Sequence, residues 1–421
     1  MDNAPSSPAT EAIATQCCVV GGGPAGMMLG LLLARAGIDV VVLEKHADFL
    51  RDFRGDTIHP STLEVLHELG ILEEFLARPH QQIRSVRGNF EDFEVQVADL
   101  TTLSTHCKFM AMMPQWDFLD FLADEARKYP TFHLRMEARV ERLVAEGGTI
   151  RGVVAQTPAG TLQVLAPLTV GADGRASIVR QQAGLAVEEL GVPIDVLWMR
   201  LARSTDDPEQ LIGRIRRGKI LVMIDRRDYW QCAFVIRKGG LEEIQRQGLP
   251  AFRQQLVEIA PFLADRVAEL SSWDQIKLLT VKVDRLRTWF RPGLLCIGDA
   301  AHAMSPVGGI GINLAIQDAV ATANLLAAPL AEGRVTTADL ERVQKRRLRP
   351  TRWTQSLQVF IQDRFLGRVI EDADATPTPP WPLRLFARWP WLRRIPARLV
   401  GMGFQPEHVQ TPAAVNANPR A

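Results

Sequence analysis

CCVVGGGPAGMMLGLLLARAGIDVVVLE, residues 17–44, decides the fold of this chain. An apolar, β-branched run from Cys17 to Val20 meets Gly21, Gly23 and Gly26 at the spacing G-x-G-x-x-G, and a Leu-rich helical segment follows to Arg35. Gly37 supplies the left-handed cap of that helix, Ile38 to Leu43 reads as a second buried strand, and Glu44 ends it 18 residues beyond Gly26. Glycines let the main chain approach a pyrophosphate. The helix N-terminus offers it unpaired N–H groups and a positive dipole, and a strand-end carboxylate accepts ribose hydroxyls. The stretch predicts a dinucleotide site.

Two other readings compete for the same residues. A merely tight strand-to-helix turn needs the glycines but not the acid. A membrane segment fits the 23 uncharged residues from Ala12 to Ala34, yet three glycines and Pro24 at its middle argue against one. The preceding residues hold Asp2 and Glu11 but no Lys or Arg, unlike the charged start of a signal peptide.

At 421 residues, 47% hydrophobic and 23% charged, the chain is expected to bury a large core and form two or three substructures. A net charge of +1 gives no electrostatic case for nucleic acid, whose binders concentrate positive charge. Five cysteines, Cys17, Cys18, Cys107, Cys232 and Cys296, form no C-x-x-C pair and read as buried thiols of a cytoplasmic protein. Eight scattered histidines with no Cys/His cluster give a metal site no support.

Residues 1–16, rich in Ala, Ser, Pro and Thr, read as a disordered lead-in. After Glu44, Arg54 sits in a polar loop and Ser61 is placed to cap an amphipathic helix of Leu63, Leu66 and Leu69. Residues 82–110 alternate loosely as strands of a different sheet, and Pro114-Gln115 opens a second amphipathic helix. Phe132 to Val170 reads as an antiparallel meander ending at Asp173-Gly174, either a ligand-facing turn or a plain Asp-Gly turn. Residues 186–285 are β-rich around one helical stretch and read as an inserted sheet domain. Then the strand Leu294 to Ile297 runs into Gly298-Asp299, and a glycine-rich loop, Pro306 to Gly311, feeds a long buried Ala/Leu helix beginning near Ile312. Its positive end suits a delocalised anion.

Three motifs in this order resemble the class A flavoprotein monooxygenases of the para-hydroxybenzoate hydroxylase type. They are Gly21 to Gly26 with Glu44, Asp173-Gly174 in GADGRASIVR, and Gly298-Asp299-Ala300-Ala301-His302 followed by Pro306 and Gly311-Ile312-Asn313. The resemblance covers roughly residues 17–365 and implies an α/β fold. A Rossmann-like FAD-binding domain (17–80, 105–185 and 286–370) would carry an inserted mixed β-sheet substrate domain (81–104 and 186–285) and a C-terminal helical tail (371–421). It implies FAD as cofactor and NAD(P)H as co-substrate. Gly21, Gly23, Pro24, Ala25 and Gly26 would hold the pyrophosphate, Glu44 the adenosine ribose with Lys45 beside it, Arg54 and Gln115 further parts of FAD, and Val140 the adenine. Asp299 would take the ribityl chain, Pro306, Gly309, Gly311, Ile312 and Asn313 would face the flavin ring, and Asp173 would serve both FAD and NAD(P)H. His302 is expected to be structural.

The implied reaction transfers a hydride to FAD, forms a flavin C4a-hydroperoxide with O2 and delivers oxygen to an aromatic or quinone-like molecule. With only two tyrosines, Tyr129 and Tyr229, hydroxybenzoate itself does not fit, and no catalytic base is evident. Pro306, Trp198, Met199, Trp230 and Phe234 are the pocket-wall candidates, with Arg200 and Arg226 as anion contacts; core packing or solvated charge is the competing reading of each. In the tail, Trp381, Trp389 and Trp391 alternate with Arg384, Arg388, Arg393, Arg394 and Arg398, with no acid between Asp374 and Glu407. That suits peripheral membrane contact, or else a helix packed on the FAD domain with arginines over it. A prenyl-lipid reductase of the same superfamily and a non-catalytic protein that kept the fold are the alternative functions. The GDAAHAMSP wording favours the monooxygenase over the first, and intact glycines with Asp299 disfavour the second.

Overall fold

The computed structural model describes residues 10–50, 57–91, 93–208, 212–371 and 381–414. At its centre is a six-stranded sheet in the order Phe290–Arg291, Leu294–Cys296, Leu168–Gly171, Cys17–Val20, Val40–Leu43 and Phe132–Arg135. All neighbours pair in parallel except the edge hairpin of Phe290–Arg291 with Leu294–Cys296. The three central strands are buried at every position, which is why they read as unbroken apolar runs: helices cover both faces of a parallel sheet. The helix Pro24–Arg35 follows the first of these strands and packs against the helix Gly311–Ala331.

Three features differ from the sequence expectation. Thr10–Ala14, within the expected disordered lead-in, is a strand that pairs in parallel with Gly160–Leu165, and residues 1–9 lie outside the described residues. The meander is shorter than Phe132 to Val170. Only Arg139–Glu146, Thr149–Thr157 and Gly160–Leu165 form it, while Phe132–Arg135 and Leu168–Gly171 belong to the parallel sheet. Ser61 lies within its helix rather than capping it: Pro60 is the first helical residue and His59 the cap.

A seven-stranded sheet runs Lys277–Leu279, Ile194–Ala202, Tyr229–Arg237, Lys219–Asp225, Ile212–Arg216, Ser85–Phe90 and Phe93–Asp99. Side chains alternate across it. One face, with Leu197, Met199, Leu221, Trp230, Cys232 and Phe234, packs on Phe252, Leu256 and Ile259 of the helix Leu249–Ile259. The opposite face carries Phe90, Ile194, Ile215, Ile220 and Val235 under Phe365, Leu366, Val369 and Ile370, and beside them Val196, Trp198, Val222 and Ala233.

The long helix Thr337–Ile361 returns along Gly311–Ala331, and the tail helices Trp381–Arg388 and Arg394–Met402 lie against the edge strand Phe93–Asp99. The last described stretch, 403–414, has no regular structure but is tied down closely. Glu407, 5% exposed, pairs with Arg346 and Arg347, Val409 N–H donates to Glu68, and the Arg35 guanidinium donates to Thr411 O.

Candidate active site

The fingerprint glycines have distinct physical roles. A Cβ on Gly21, whose φ is +107°, would sit 2.4 Å from Ala172 O, and one on Gly26 would sit 1.9 Å from Gly21 O. Main chain after the neighbouring strand forbids the first, and the close approach of the helix to the strand end forbids the second. At Gly23 a Cβ would meet nothing within 4 Å among the described residues. Gly23 caps the helix without a side-chain hydrogen bond, Pro24 follows, and the first turn through Ala25 and Gly26 holds no acid. Its N–H groups have no helical acceptors, an arrangement that suits an anion.

Glu44, 8% exposed, steadies this turn: Oε2 accepts the Gly22 N–H at 2.9 Å and Oε1 the His46 N–H at 3.1 Å. Lys45 beside it is exposed. Ala138 N–H donates to Glu44 O at 2.8 Å, which brings the strand of half-buried Val140 alongside. Gln115 begins its helix, half-buried, behind Pro114. Arg54 lies outside the described residues.

Asp173 follows the strand Leu168–Gly171, and its Oδ2 accepts the Val179 N–H at 3.2 Å. Burial pushes its carboxyl above the ordinary value, with hydrogen bonds from Ser177 and the main chain pulling the other way. Arg175, two residues on, joins this turn to the next motif: Nε donates to Asp299 Oδ2 and Nη2 to Met304 O, both at 3.2 Å. Asp299 stays half-buried.

The loop before Gly311–Ala331 repeats the logic of the first. Gly309 has φ +63°, and a Cβ there would meet Thr57 Oγ1 at 2.2 Å, whereas one on Gly311 would find only Met304 Cβ at 3.9 Å. The helix again opens without a side-chain cap or an acid in its first turn. The Asn313 side chain is consumed by the protein. Its Oδ1 accepts from His59 N–H and Thr62 Oγ1, both at 2.8 Å, and its Nδ2 donates to Thr57 O at 3.1 Å and Gly309 O at 3.3 Å. What Gly311, Ile312 and Asn313 offer a ligand is main-chain N–H. Half-buried Pro306 stands between Ser305 and Val307, which Gln358 holds: Oε1 accepts Ser305 N–H, and Nε2 donates to Ser305 O and Val307 O.

His302 is buried, its Nε2 at 2.6 Å from Asp318 Oδ2. Asp318 also accepts the Gly298 N–H at 3.0 Å and Arg347 Nε at 2.9 Å. Burial opposes its ionisation, but His302 and Arg347 outweigh that and hold the carboxyl below its ordinary value. This buried network fixes the Gly298-Asp299 turn to both long helices.

The wall candidates separate. Met199, Trp230 and Phe234 do not line a pocket: they are 0%, 0% and 4% exposed in the interior between the sheet and its helix, with Trp230 Nε1 donating to Asp207 Oδ2 at 2.7 Å. Strand alternation puts adjacent Trp198, half-buried, on the other face, the side covered farther along by the continuation of the helix whose Gln358 holds the 305–307 loop. Arg200 lies over the Tyr229 ring at 4.8 Å, and Arg226 Nε donates to Gln231 Oε1. Sequence reasoning missed Thr57, His59, Arg175, Arg347 and Gln358. Only Arg175 carried a signal, directly after the Asp173-Gly174 turn.

Comparison with known proteins agrees with this geometry. Residues 14–355 match the family described as FAD binding domain. The chain is 33% identical over 367 residues to 6-methylpretetramide 4-monooxygenase of Streptomyces rimosus, covering 86% of this chain and 87% of that protein. It is 26% identical over 344 residues to para-nitrophenol 4-monooxygenase of a Pseudomonas strain, covering 78% and 82%. Among solved structures, a probable FAD-dependent monooxygenase from Pseudomonas aeruginosa superposes with a TM-score of 0.71 at 21% identity, over 85% of this chain and all of that one. The p-nitrophenol 4-monooxygenase of Pseudomonas putida gives 0.70 at 20% identity, over 93% and 94%. With two uncapped helix ends each holding one glycine open, and a family match spanning most of its length, the chain belongs to the class A flavoprotein monooxygenases and carries their FAD-binding domain.

Proposed function

We propose that this enzyme uses FAD, O2 and NAD(P)H to hydroxylate an aromatic or quinone-like small molecule. The observation that carries the reading is the pair of helix N-termini at Gly23 and Gly311, each without a side-chain cap or an acid in its first turn and each with a glycine where a Cβ would clash with nothing among the described residues. The residues present fit FAD. N–H groups of the Gly23 to Gly26 turn would hold its pyrophosphate, Glu44 its adenosine ribose, Gln115 and Val140 further parts of the adenosine half, and Asp299 its ribityl chain. Arg54 is assigned to the same cofactor by its motif position alone. When bound, FAD takes a hydride from NAD(P)H and passes two electrons to O2, so that one oxygen atom enters the aromatic ring and the other leaves as water.

The protein's own contribution is positioning and electrostatics. The N-terminus of Gly311–Ala331, with main-chain N–H groups of Gly311, Ile312 and Asn313, favours the anionic form of a reduced ring. Gln358 and Asn313 hold the loop that places those N–H groups. Arg175 ties Asp299 to the Asp173-Gly174 turn, which would serve both FAD and NAD(P)H. Pro306 and Trp198 stand as the pocket-wall residues. The relatives named above are monooxygenases of 6-methylpretetramide and of para-nitrophenol, and the second name supports a phenol-like substrate. Five buried free cysteines support a cytoplasmic enzyme, and exposed aromatic and basic side chains of the tail support contact with the inner face of the membrane.

The test is a screen of phenols, nitrophenols and quinones for accelerated NAD(P)H oxidation under isotopically labelled O2. A stimulating compound should gain one labelled oxygen. NAD(P)H consumed without labelled product for every compound overturns the hydroxylase reading, and turnover that persists without O2 assigns a reductase instead.

A further inference from the structure

We infer that the two tail helices, Trp381–Arg388 and Arg394–Met402, form a docking surface for an anionic bilayer. The surface is defined by what it leaves in water. Trp381 is 72% exposed, Trp389 44%, Trp391 66% and Ile395 56%, four large apolar side chains within fifteen residues. Elsewhere among the described residues, large exposed hydrophobics are dispersed along the chain. Single exposed apolar residues need no explanation, but a cluster marks an interaction site.

These side chains are presented, not frayed. Ala397 is fully buried, and a Cβ on Gly401 would lie 2.7 Å from Leu103 and 3.3 Å from Pro60, so the second helix is pressed onto the body. His59 Nδ1 lies 2.6 Å from Val400 O, and Arg393 donates to Gln96 Oε1 and to Phe386 O. Leu383 packs into the apolar cluster of the seven-stranded sheet. With their inner sides spent, the helices turn tryptophans outward beside Arg384, Arg388, Arg394 and Arg398, all exposed.

Charge selects the occupant. No Asp or Glu lies between Asp374 and Glu407, so a two-fold pairing of this face with a second copy would set arginines against arginines. An anionic leaflet supplies the missing countercharge, and tryptophan rings suit its interface. The contact is peripheral. The one described helix long and apolar enough to span a bilayer, Val307–Ala331, is mostly buried in the body.

The experiment is sedimentation of the full-length, FAD-loaded protein with vesicles of phosphatidylcholine alone or mixed equally with phosphatidylglycerol. Flavin absorbance in the pellet is the readout, so the result is independent of turnover and of the proposed substrate. The protein should pellet with anionic vesicles at low salt, be released at high salt and ignore neutral ones. Trp381→Ser with Trp391→Ser, and separately Arg384→Gln with Arg388→Gln and Arg394→Gln, should each lower the bound fraction about tenfold while leaving FAD content and Tm unchanged. Wild-type protein that stays in the supernatant at low salt overturns the inference. Variants that bind like wild type do the same, as does a dimer in solution that both sets of substitutions dissociate, which would assign the face to a second copy.

Discussion

The helices Pro24–Arg35 and Gly311–Ala331 begin alike and are held in place by different means. Each opens after a glycine loop, without a side-chain cap or an acid in its first turn. Packing forbids a side chain at Gly21 and Gly26 in the first loop and at Gly309 in the second, whereas a Cβ on Gly23 meets nothing within 4 Å among the described residues and one on Gly311 makes only an ordinary contact with Met304. The first loop is fixed largely by its own neighbours in the chain: Gly21, and Glu44 through Gly22 N–H. The second is fixed by Thr57, His59 and Thr62, some 250 residues earlier, and by Gln358. A loop built locally stands or falls with its own sequence. One built from distant parts reports how the whole molecule is assembled.

The largest expected effect separates fold from ligand within the first loop. Gly26→Ala drives a methyl group into Gly21 O at 1.9 Å, against backbone that cannot give way, and should cost about 3 kcal/mol or more and much of the soluble protein. Gly23→Ala, at φ −75° and with free space around it, should leave Tm near wild type and strip FAD during purification. Equal FAD retention in Gly23→Ala and wild type would show that this open space is not the phosphate cradle.

Next in size, Asp299→Ala should weaken FAD binding by about 1.5–3 kcal/mol, roughly ten- to a hundredfold in Kd, with the fold standing. The same change releases Arg175 from its 3.2 Å partner, so nicotinamide affinity should shift along with it. FAD titration by fluorescence quenching measures this; an unaltered Kd removes Asp299 from the site.

Gly311→Val tests the second loop where only Met304 is near. Its expected effect is a slowing of flavin reduction by NAD(P)H of about tenfold, near 1.4 kcal/mol in barrier, with Tm little changed. Stopped-flow reduction at the wild-type rate would show that the open side of Gly311 does not face the flavin ring.

The same contrast explains what was legible beforehand. Residues 17–44 were readable because strand, turn, helix and acid are specified by neighbours in the chain. Trp198 and Met199 are adjacent, and alternation says that they part company, but not which face meets the helix Leu249–Ile259. That depends on layers assembled from 85–99 and 194–279. Asn313 looked like a flavin contact from its motif position. Its side chain proves committed to His59, Thr62, Thr57 and Gly309, a role no local pattern encodes. Glu407, far beyond the tail tryptophans, gave no sign that it reaches the buried Arg347.

The smallest effect concerns His59, which joins the second loop to the tail. The His59 main-chain N–H is held by Asn313, and its ring Nδ1, facing a carbonyl at Val400, must carry the proton. Burial lowers its pKa to about 4, despite the bond to Val400. The unfolded chain binds this proton near pH 6.5, so between 6.5 and 4 the unfolded state holds more protons and stability falls as pH falls; above 6.5 the contribution is flat. From pH 7 to pH 6 the loss is about 0.7 kcal/mol, roughly 1–2 °C in Tm. His59→Asn keeps a donor for Val400 O and removes the titration, so the Tm difference between pH 7 and pH 6 should shrink by that amount. Carboxylates such as Asp318, held below their ordinary range, lose their stabilising charge only at still lower pH and stay outside this window. The turn of the first loop is instead closed by Gly22 N–H on Glu44. A His59→Asn protein with the wild-type slope would place the pH sensitivity elsewhere and leave the two loops alike in this respect.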